Sequence, residues 1–335
     1  MRNGIDRRRL LAGTGAFAGA ALLGVPGAAQ TQAVRIGTSS IGTVFHALAV
    51  GIGEMLRDEA GINATVESVG GSAANVNGIG AGIVDMAVAN SFSAEAGFRG
   101  EYGFPPQPKV RLALQGSASR RHLFIRNAAG IRGPEDLHGR TIVAERRALP
   151  ELRLWMDAVI AHYGLDADAI NIVATTETNE AMDAMRAGSV DGVVLPFAVR
   201  AALVEEAMRA GLMSLMPMEA ADRDALLDLL PSAFYADLIP GDEYSGMDGD
   251  LPVVSLNTYL IASSDVDDDI MHTVAKVVLE NTETFASYHA QGRQWTLESA
   301  LTSPAAPYHD GVIRYFEEVG AWTPEMAEVQ ARFFA

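Results

Sequence analysis

The sequence predicts an α/β chain folded as two similar lobes. Three observations carry this prediction. Strand-like runs alternate with helix-like runs, the pattern of parallel βα units. The stretch Ala81-Gly82-Ile83-Val84-Asp85-Met86-Ala87-Val88 returns as Ala187-Gly188-Ser189-Val190-Asp191-Gly192-Val193-Val194, so one unit occurs twice. In both copies a helix-like run stops at glycine, the residue that enters the left-handed conformation most cheaply, and a short apolar strand follows. At 335 residues the chain is long enough for two such lobes with cores of their own.

The elements follow in order. Residues 1–29 are read apart from the fold. Arg7-Arg8-Arg9 precedes a Gly-rich apolar run from Leu10 to Val25, too short for an ordinary membrane span, and Gly27-Ala28-Ala29 offers small residues for cleavage. This resembles a cleavable twin-arginine export signal, which places the mature protein in the periplasm. Val34–Gly37 is the first strand, and Thr43 caps a helix with Phe45, Leu48, Ile52, Met55 and Leu56 at helical spacing. A second strand, Ala64–Val69, enters a Gly70-Gly71-Ser72 turn and a helix through Asn75, Val76 and Ile79. The first repeat strand ends at Asn90-Ser91. Val110–Leu114 and His122–Arg126 read as two strands, the second opening the other lobe or the crossover to it. Pro134–Leu137 is a helical turn, Thr141–Ala144 a strand, Glu151–His162 a helix and Ile170–Val173 a strand. A helix at Asn179–Ala187 leads to the second repeat strand, which ends at Pro196-Phe197. Gly241–Asp250 is polar and reads as a solvated loop, Val253–Ala262 as a second crossover strand, and the C-terminal part as helical over Asp267–Ala290 and His309–Val319. The expected division is 30–119 with 255–335 as lobe 1 and 120–254 as lobe 2.

Composition excludes several functions. The absence of Cys rules out disulfides, thiolate metal sites and Cys nucleophiles. A net charge of −17 offers no basic stripe to nucleic acid. The seven His lack the spacing of a helical zinc site, and neither a Gly-x-Ser-x-Gly elbow nor a P-loop is present. Gly78-Ile79-Gly80-Ala81-Gly82 lies at a helix end, where small residues serve packing. The acidic run Asp265–Asp269 lacks the Gly and Glu of a calcium loop and suits a helix N-terminus. No catalytic residue, metal or cofactor is expected.

Two loops carry the binding prediction. Thr38–Thr43 and Gly70–Ser72 each join a strand to a helix and offer backbone N–H groups at the positive helix end, which suits a carboxylate or phosphate. Ser39, Ser40, Thr43 and Ser72 add hydroxyls, and such loops lie at the C-terminal strand ends where open α/β sheets bind ligands. Phe45 stands beside the first loop as a cleft wall or a core residue. Arg146-Arg147 follows a strand in the second lobe, and arginine grips carboxylates through two parallel hydrogen bonds; a surface ion pair with Glu145 or Glu151 would explain the pair equally well.

The motifs Ile36-Gly37-Thr38, Val66-Glu67-Ser68-Val69-Gly70-Gly71-Ser72, the Ala-Gly-x-Val-Asp strand, Ile239-Pro240-Gly241 with Tyr244, and Tyr308-His309-Asp310-Gly311-Val312 through Phe316 resemble the TAXI family. Its members are solute-binding receptors of tripartite ATP-independent periplasmic (TRAP) transporters. The resemblance covers essentially the whole mature chain. It implies a type II periplasmic binding protein: two α/β lobes, hinge strands and a small carboxylate closed between the lobes. By position it assigns Ser39, Ser40, Thr43 and Phe45 to one binding loop, Ser72 and Asn75 to a second, and Asn90 and Ser91 to a third. One departure falls in the first lobe, where Phe45-His46 stands in place of the family's paired Tyr, and the more important ones fall in the second. Arg146-Arg147-Ala148-Leu149-Pro150 stands where the family has a Gly-Ser-Gly-Thr-like turn, and Pro196-Phe197 replaces a Gly-rich exit. The expected ligand is therefore a small anionic organic solute held by Arg146 and Arg147 with Phe197 as an apolar wall, bound by a monomer and delivered to a TRAP-type permease. A receptor that reports to a membrane signalling protein instead would use the same pocket.

Overall fold

The computed structural model describes residues 33–198, 200–302 and 304–335, so the expected export signal lies outside the described residues. Ten strands form one sheet in the order β2-β1-β3-β10-β4-β7-β5-β6, with β8 added on β4 and β9 on β10. The first half holds β1 (Ala33–Thr38), β2 (Asn63–Ser68) and β3 (Met86–Asn90). The second holds β5 (Thr141–Glu145), β6 (Asn171–Ala174) and β7 (Gly192–Phe197). Within each half the strands run parallel. Two long antiparallel strands, β4 (Val110–Arg126) and β10 (Leu251–Ser263), carry the chain between the halves. The small strands are β8 (Met213–Leu215) and β9 (Tyr235–Ile239).

Helices cover the sheet because each βα unit must bury the apolar stripe of its helix. On the first half, α1 (Val44–Ala60) buries Leu48, Ile52, Met55 and Leu56, the residues the spacing selects. Thr43 caps it by accepting from His46 N, and Gly61 closes it in the left-handed conformation. Next come α2 (Ser72–Gly80) and α3 (Ser91–Arg99). The second half carries α4 (Glu151–His162), α5 (Thr178–Ala187), α6 (Ala202–Arg209) and α7 (Ala220–Leu227). The C-terminal helices are α8 (Asp268–Glu280), α9 (Thr282–Tyr288), α10 (Leu297–Ala300), α11 (Asp310–Glu318) and α12 (Pro324–Arg332). No helix of the described residues is long and apolar enough to cross a membrane.

The repeated motif does the same structural work twice. Asp85 N donates to Arg35 O, and the Asp85 carboxylate accepts from Arg35 N at 2.8 Å. Asp191 N donates to Thr141 O, and its carboxylate accepts from Thr141 N at 3.1 Å. Each aspartate thereby latches the first residues of the neighbouring parallel strand, and an arginine clamps it, Arg35 in one half and Arg126 in the other. The glycine before each, Gly82 or Gly188, has φ of 68° or 74°.

The structure departs from the sequence reading at several places. Val110–Leu114 and His122–Arg126 are one continuous strand. Its polar middle is buried because distant residues satisfy it: Gln115 donates to Ser299 O, Ser117 to Gln291, and Arg121 to Glu151. Helix α3 escapes the periodicity argument because it is buried nearly all round, Ser91 through Gly97 included. Asn281 interrupts the helix read over Asp267–Ala290. Gly241–Asp250 is a loop but not wholly solvated: Glu243 is buried against Arg120, and the Tyr244 hydroxyl donates to Ala198 O.

Candidate functional site

The C-terminal ends of the parallel strands in the two halves face each other across a seam. From the first half, the Gly70-Gly71 turn between β2 and α2 reaches the β5–α4 loop, where Ala73 N donates to Ala148 O at 3.4 Å. Gly71 has φ of 112°, and a Cβ there would lie 3.1 Å from the Ala148 Cβ. Only glycine offers both the conformation and the space. Nearer the rim, the Ser40 hydroxyl donates to Glu177 Oε1 at 2.9 Å, a second contact between the halves.

A charged network fills the middle of this seam. Glu151, at the start of α4, is fully buried. Its Oε1 accepts from Asn90 Nδ2 at 2.7 Å and from Arg121 Nη2 at 2.8 Å and Nε at 3.2 Å. Arg121 Nη1 donates to Ser119, fixing the guanidinium on β4. First half, hinge strand and second half thus meet at one carboxylate. The other oxygen, Glu151 Oε2, has no partner among the described residues, and the same holds for Arg146 Nε and Thr38 Oγ1. Buried polar atoms are almost always paired, so orphans gathered along one seam mark a place built for something more.

Beside the seam a cavity of about 720 Å³ opens at the ends of β5 and β6. Arg146, Arg147 and Arg153 line it, with Glu145 and Glu180. Arg153 is spoken for by Asp157 at 2.8 Å, and Glu180 accepts from Thr176. Arg146 donates to Thr178 Oγ1 at 2.8 Å and Glu177 Oε2 at 3.1 Å, neither of them the partner expected from sequence. Burial pulls the Arg146 guanidinium down from its ordinary value, while Glu177, Glu151 and Glu180 pull it back up. Arg147 is exposed and makes no hydrogen bond or ion pair among the described residues. Tyr102 closes the cavity from the first half, held at φ of 51°. That conformation is unusual for a bulky residue, and its ring rests on Phe92 with centroids 5.3 Å apart.

The sequence-predicted residues divide into four groups. Ser39, Ser40, Arg146 and Arg147 lie at the seam or its cavity. Ser72, Asn75, Asn90 and Ser91 are buried: Ser72 and Asn75 bond within the first half, Asn90 also reaches Glu151 across the seam, Ser91 reaches Ala233 and Asn257, and Asn75 Oδ1 has no partner among the described residues. Ser72 Oγ accepts from Asn90 N, Asn75 Nδ2 donates to Val88 O, Asn90 Oδ1 caps α3, and Ser91 Oγ accepts from Asn257 N. Thr43 is consumed as the α1 cap, and Phe45 packs on the core. Phe197 belongs elsewhere: it packs edge-on against Phe124 at 5.0 Å in a core cluster and lines neither large cavity. Sequence reading missed Arg121 and Glu151. Both sit inside elements, a strand and a helix, where charged residues ordinarily face solvent.

A model of the NMT1-like family matches residues 36–320. Among solved structures the chain is similar to malate-bound MatC from Rhodopseudomonas palustris. The TM-score is 0.56 at 12% identity, covering 91% of this chain and 98% of that one. It is also similar to a putative sulfonate ABC transporter's periplasmic sulfonate-binding protein from Methylobacillus flagellatus KT, with TM-score 0.51, 17% identity and coverage of 88% and 97%. At such identities the likeness shows the fold, the two-lobed α/β architecture of periplasmic binding proteins.

Proposed function

The chain belongs to the NMT1-like family, and from that premise we propose that it is an exported, non-enzymatic receptor for a small anionic organic solute. Lobe 1 is residues 30–119 with 255–335, lobe 2 is 120–254, and β4 and β10 form the hinge. The observation that carries the reading is the arginine-lined cavity at the mouth of the seam. Among the described residues Arg147 has no partner there, and Arg146 keeps an unpaired donor at Nε. A carboxylate or sulfonate satisfies both. Glu151 Oε2, an acceptor without a donor, favours a solute that also carries a hydroxyl or ammonium group, because an unmatched buried polar atom lowers affinity. The malate bound to MatC and the sulfonate for which the Methylobacillus protein is named belong to the same broad chemistry of small anions.

Closure follows from differential contact. A solute that touches Arg146 and Arg147 on one side and the Ser39–Ser40 loop on the other makes its full set of bonds only when the lobes meet. The TAXI-like motifs point to a TRAP-type permease as the acceptor of the loaded receptor. Thermal unfolding with a panel of hydroxy acids, amino acids, dicarboxylates and sulfonates tests the reading. A ligand at one hundred times its dissociation constant stabilises the native state by about 2.7 kcal/mol. A hydroxy or amino acid that raises Tm in the native protein and fails to do so in Arg147→Ala is the expected result. A panel without a hit, or a hit indifferent to Arg147, overturns it.

A further inference from the structure

A second cavity, of about 740 Å³, lies on the hinge and shares no lining residue with the arginine cavity. Gln115, Gly116 and Ala118 of β4 and Asn257 and Tyr259 of β10 form its floor, Glu95 of α3 and Ser232 flank it, and α12 contributes Met326, Val329 and Phe333. Its size is that of an ordinary small-molecule site.

Two acceptors in it stand out beside the donors that Arg99, Tyr235, Asn257 and Thr302 also bring to the lining. Gln115 is almost fully buried, and its Nε2 donates to the carbonyl of Ser299 at 2.8 Å, which fixes the orientation of the amide. Its Oε1 is left without a partner among the described residues. Glu95 is buried as well; one carboxylate oxygen accepts from Ser232 Oγ at 2.7 Å and faces Arg99 at 3.5 Å. The Tyr308 hydroxyl is spent on Ala300 O, and that of Tyr259 accepts from Ala305 N. Burial raises the Glu95 carboxyl above its ordinary value, against the pull of Ser232 and Arg99, so a cation brought to it regains what desolvation takes away. The remaining lining mixes the polar Asn257, Thr302 and Glu325 with the rings of Tyr235, Tyr259, Tyr308 and Phe333, and aromatic faces attract ammonium groups.

We infer that this cavity is a second ligand site, for a small organic ammonium ion whose N–H groups meet Gln115 Oε1 and Glu95 and whose hydrocarbon part rests on α12. None of the solute-binding residues proposed above takes part, so the two readings stand or fall separately.

Calorimetric titration of the full chain with phenethylammonium tests the site, with phenethyl alcohol and phenylpropionate as matched neutral and anionic probes. Saturable binding of the ammonium ion at one site is expected, with little from the alcohol and none from the carboxylate. Glu95→Gln, which keeps a partner for Ser232, weakens it about tenfold, the scale of one charge-assisted hydrogen bond. Ala118→Trp fills the cavity and abolishes binding; if that variant does not fold, Gln115→Leu takes its place. Arg147→Ala leaves amine binding unchanged. Absence of saturable binding, equal binding of the three probes, or binding indifferent to both Glu95→Gln and the cavity-filling change overturns the inference.

Discussion

Arg147 and His122 show how differently two residues of one half behave. Arg147 is exposed and without a partner among the described residues, so its side chain should add little to stability and its charge is open to a ligand. Replacing it by Ala should leave Tm within a degree or so and lower solute affinity about tenfold to a hundredfold, the range of a charge-assisted hydrogen bond. His122 is fully buried, donates from Nε2 to Met216 O at 2.6 Å, and lies edge-on to Trp155. Burial pushes its imidazolium down from 6.5 to about 4, with the Met216 bond opposing. The depressed value means that the folded protein holds a neutral ring while the unfolded chain takes up a proton. The contribution is complete above pH 6.5 and is lost as pH falls towards 4, at up to about 1.4 kcal/mol per pH unit. Unfolding midpoints in urea between pH 7 and 4 should show this slope, and His122→Gln should flatten it. Equal slopes in both proteins would remove His122 as the cause.

Among the elements, the two latching aspartates and the Gly71 turn carry the most. Burial would raise the Asp85 carboxyl, but the hydrogen bonds and charge of Arg35 hold it below its ordinary value. That contribution is present above pH about 4 and disappears as the carboxylate protonates below it. Asp85→Asn retains the shape but loses the charge and the acceptor pair, so a loss of about 1–3 kcal/mol is expected by chemical denaturation. The counterpart Asp191→Asn should behave alike, since the backbone pairing is the same. Gly71 allows a sharper test. Alanine there meets both a conformation L-residues avoid and the Ala148 Cβ at 3.1 Å, a strain of about 1–3 kcal/mol. Because the clash lies in the seam, Gly71→Ala should lower solute affinity as well as Tm. A fall in Tm with full affinity would show that the turn is structural only.

For the molecule as a whole, the Asn90–Glu151–Arg121 network decides how readily the halves stay together. Removing the carboxylate in Glu151→Ala strands a buried guanidinium, a change that typically destabilises by about 3–5 kcal/mol. A larger radius of gyration in small-angle scattering and a lower Tm are the expected outcome. If scattering is unchanged, the network is not what holds the seam shut. The alternation of strands and helices, both glycine stops and the Thr43 cap were legible because each is local and leaves a periodic or conformational signature. Helix α3 was not, since a helix buried on every face has no polar side to set its period. The site was half legible. Ser40, Arg146 and Arg147 announced themselves as polar residues at strand ends, whereas Arg121 and Glu151 lie 30 positions apart within regular elements.

The sequence by itself determined a paired α/β architecture, because the repeated Ala-Gly-x-Val-Asp unit encodes the same strand latch twice through hydrogen bonds made within one half. Tertiary structure alone decided which polar residues are free to bind. Ser72, Asn90 and Ser91 carry the right chemistry but spend it on partners brought near by the fold, and Asn75 spends its amide N–H on Val88 O while its Oδ1 stays unpartnered among the described residues. The unpaired atoms at the seam, Arg146 Nε and Glu151 Oε2, are defined by what they lack, and a missing partner is a property of three-dimensional packing that no spacing along the chain records.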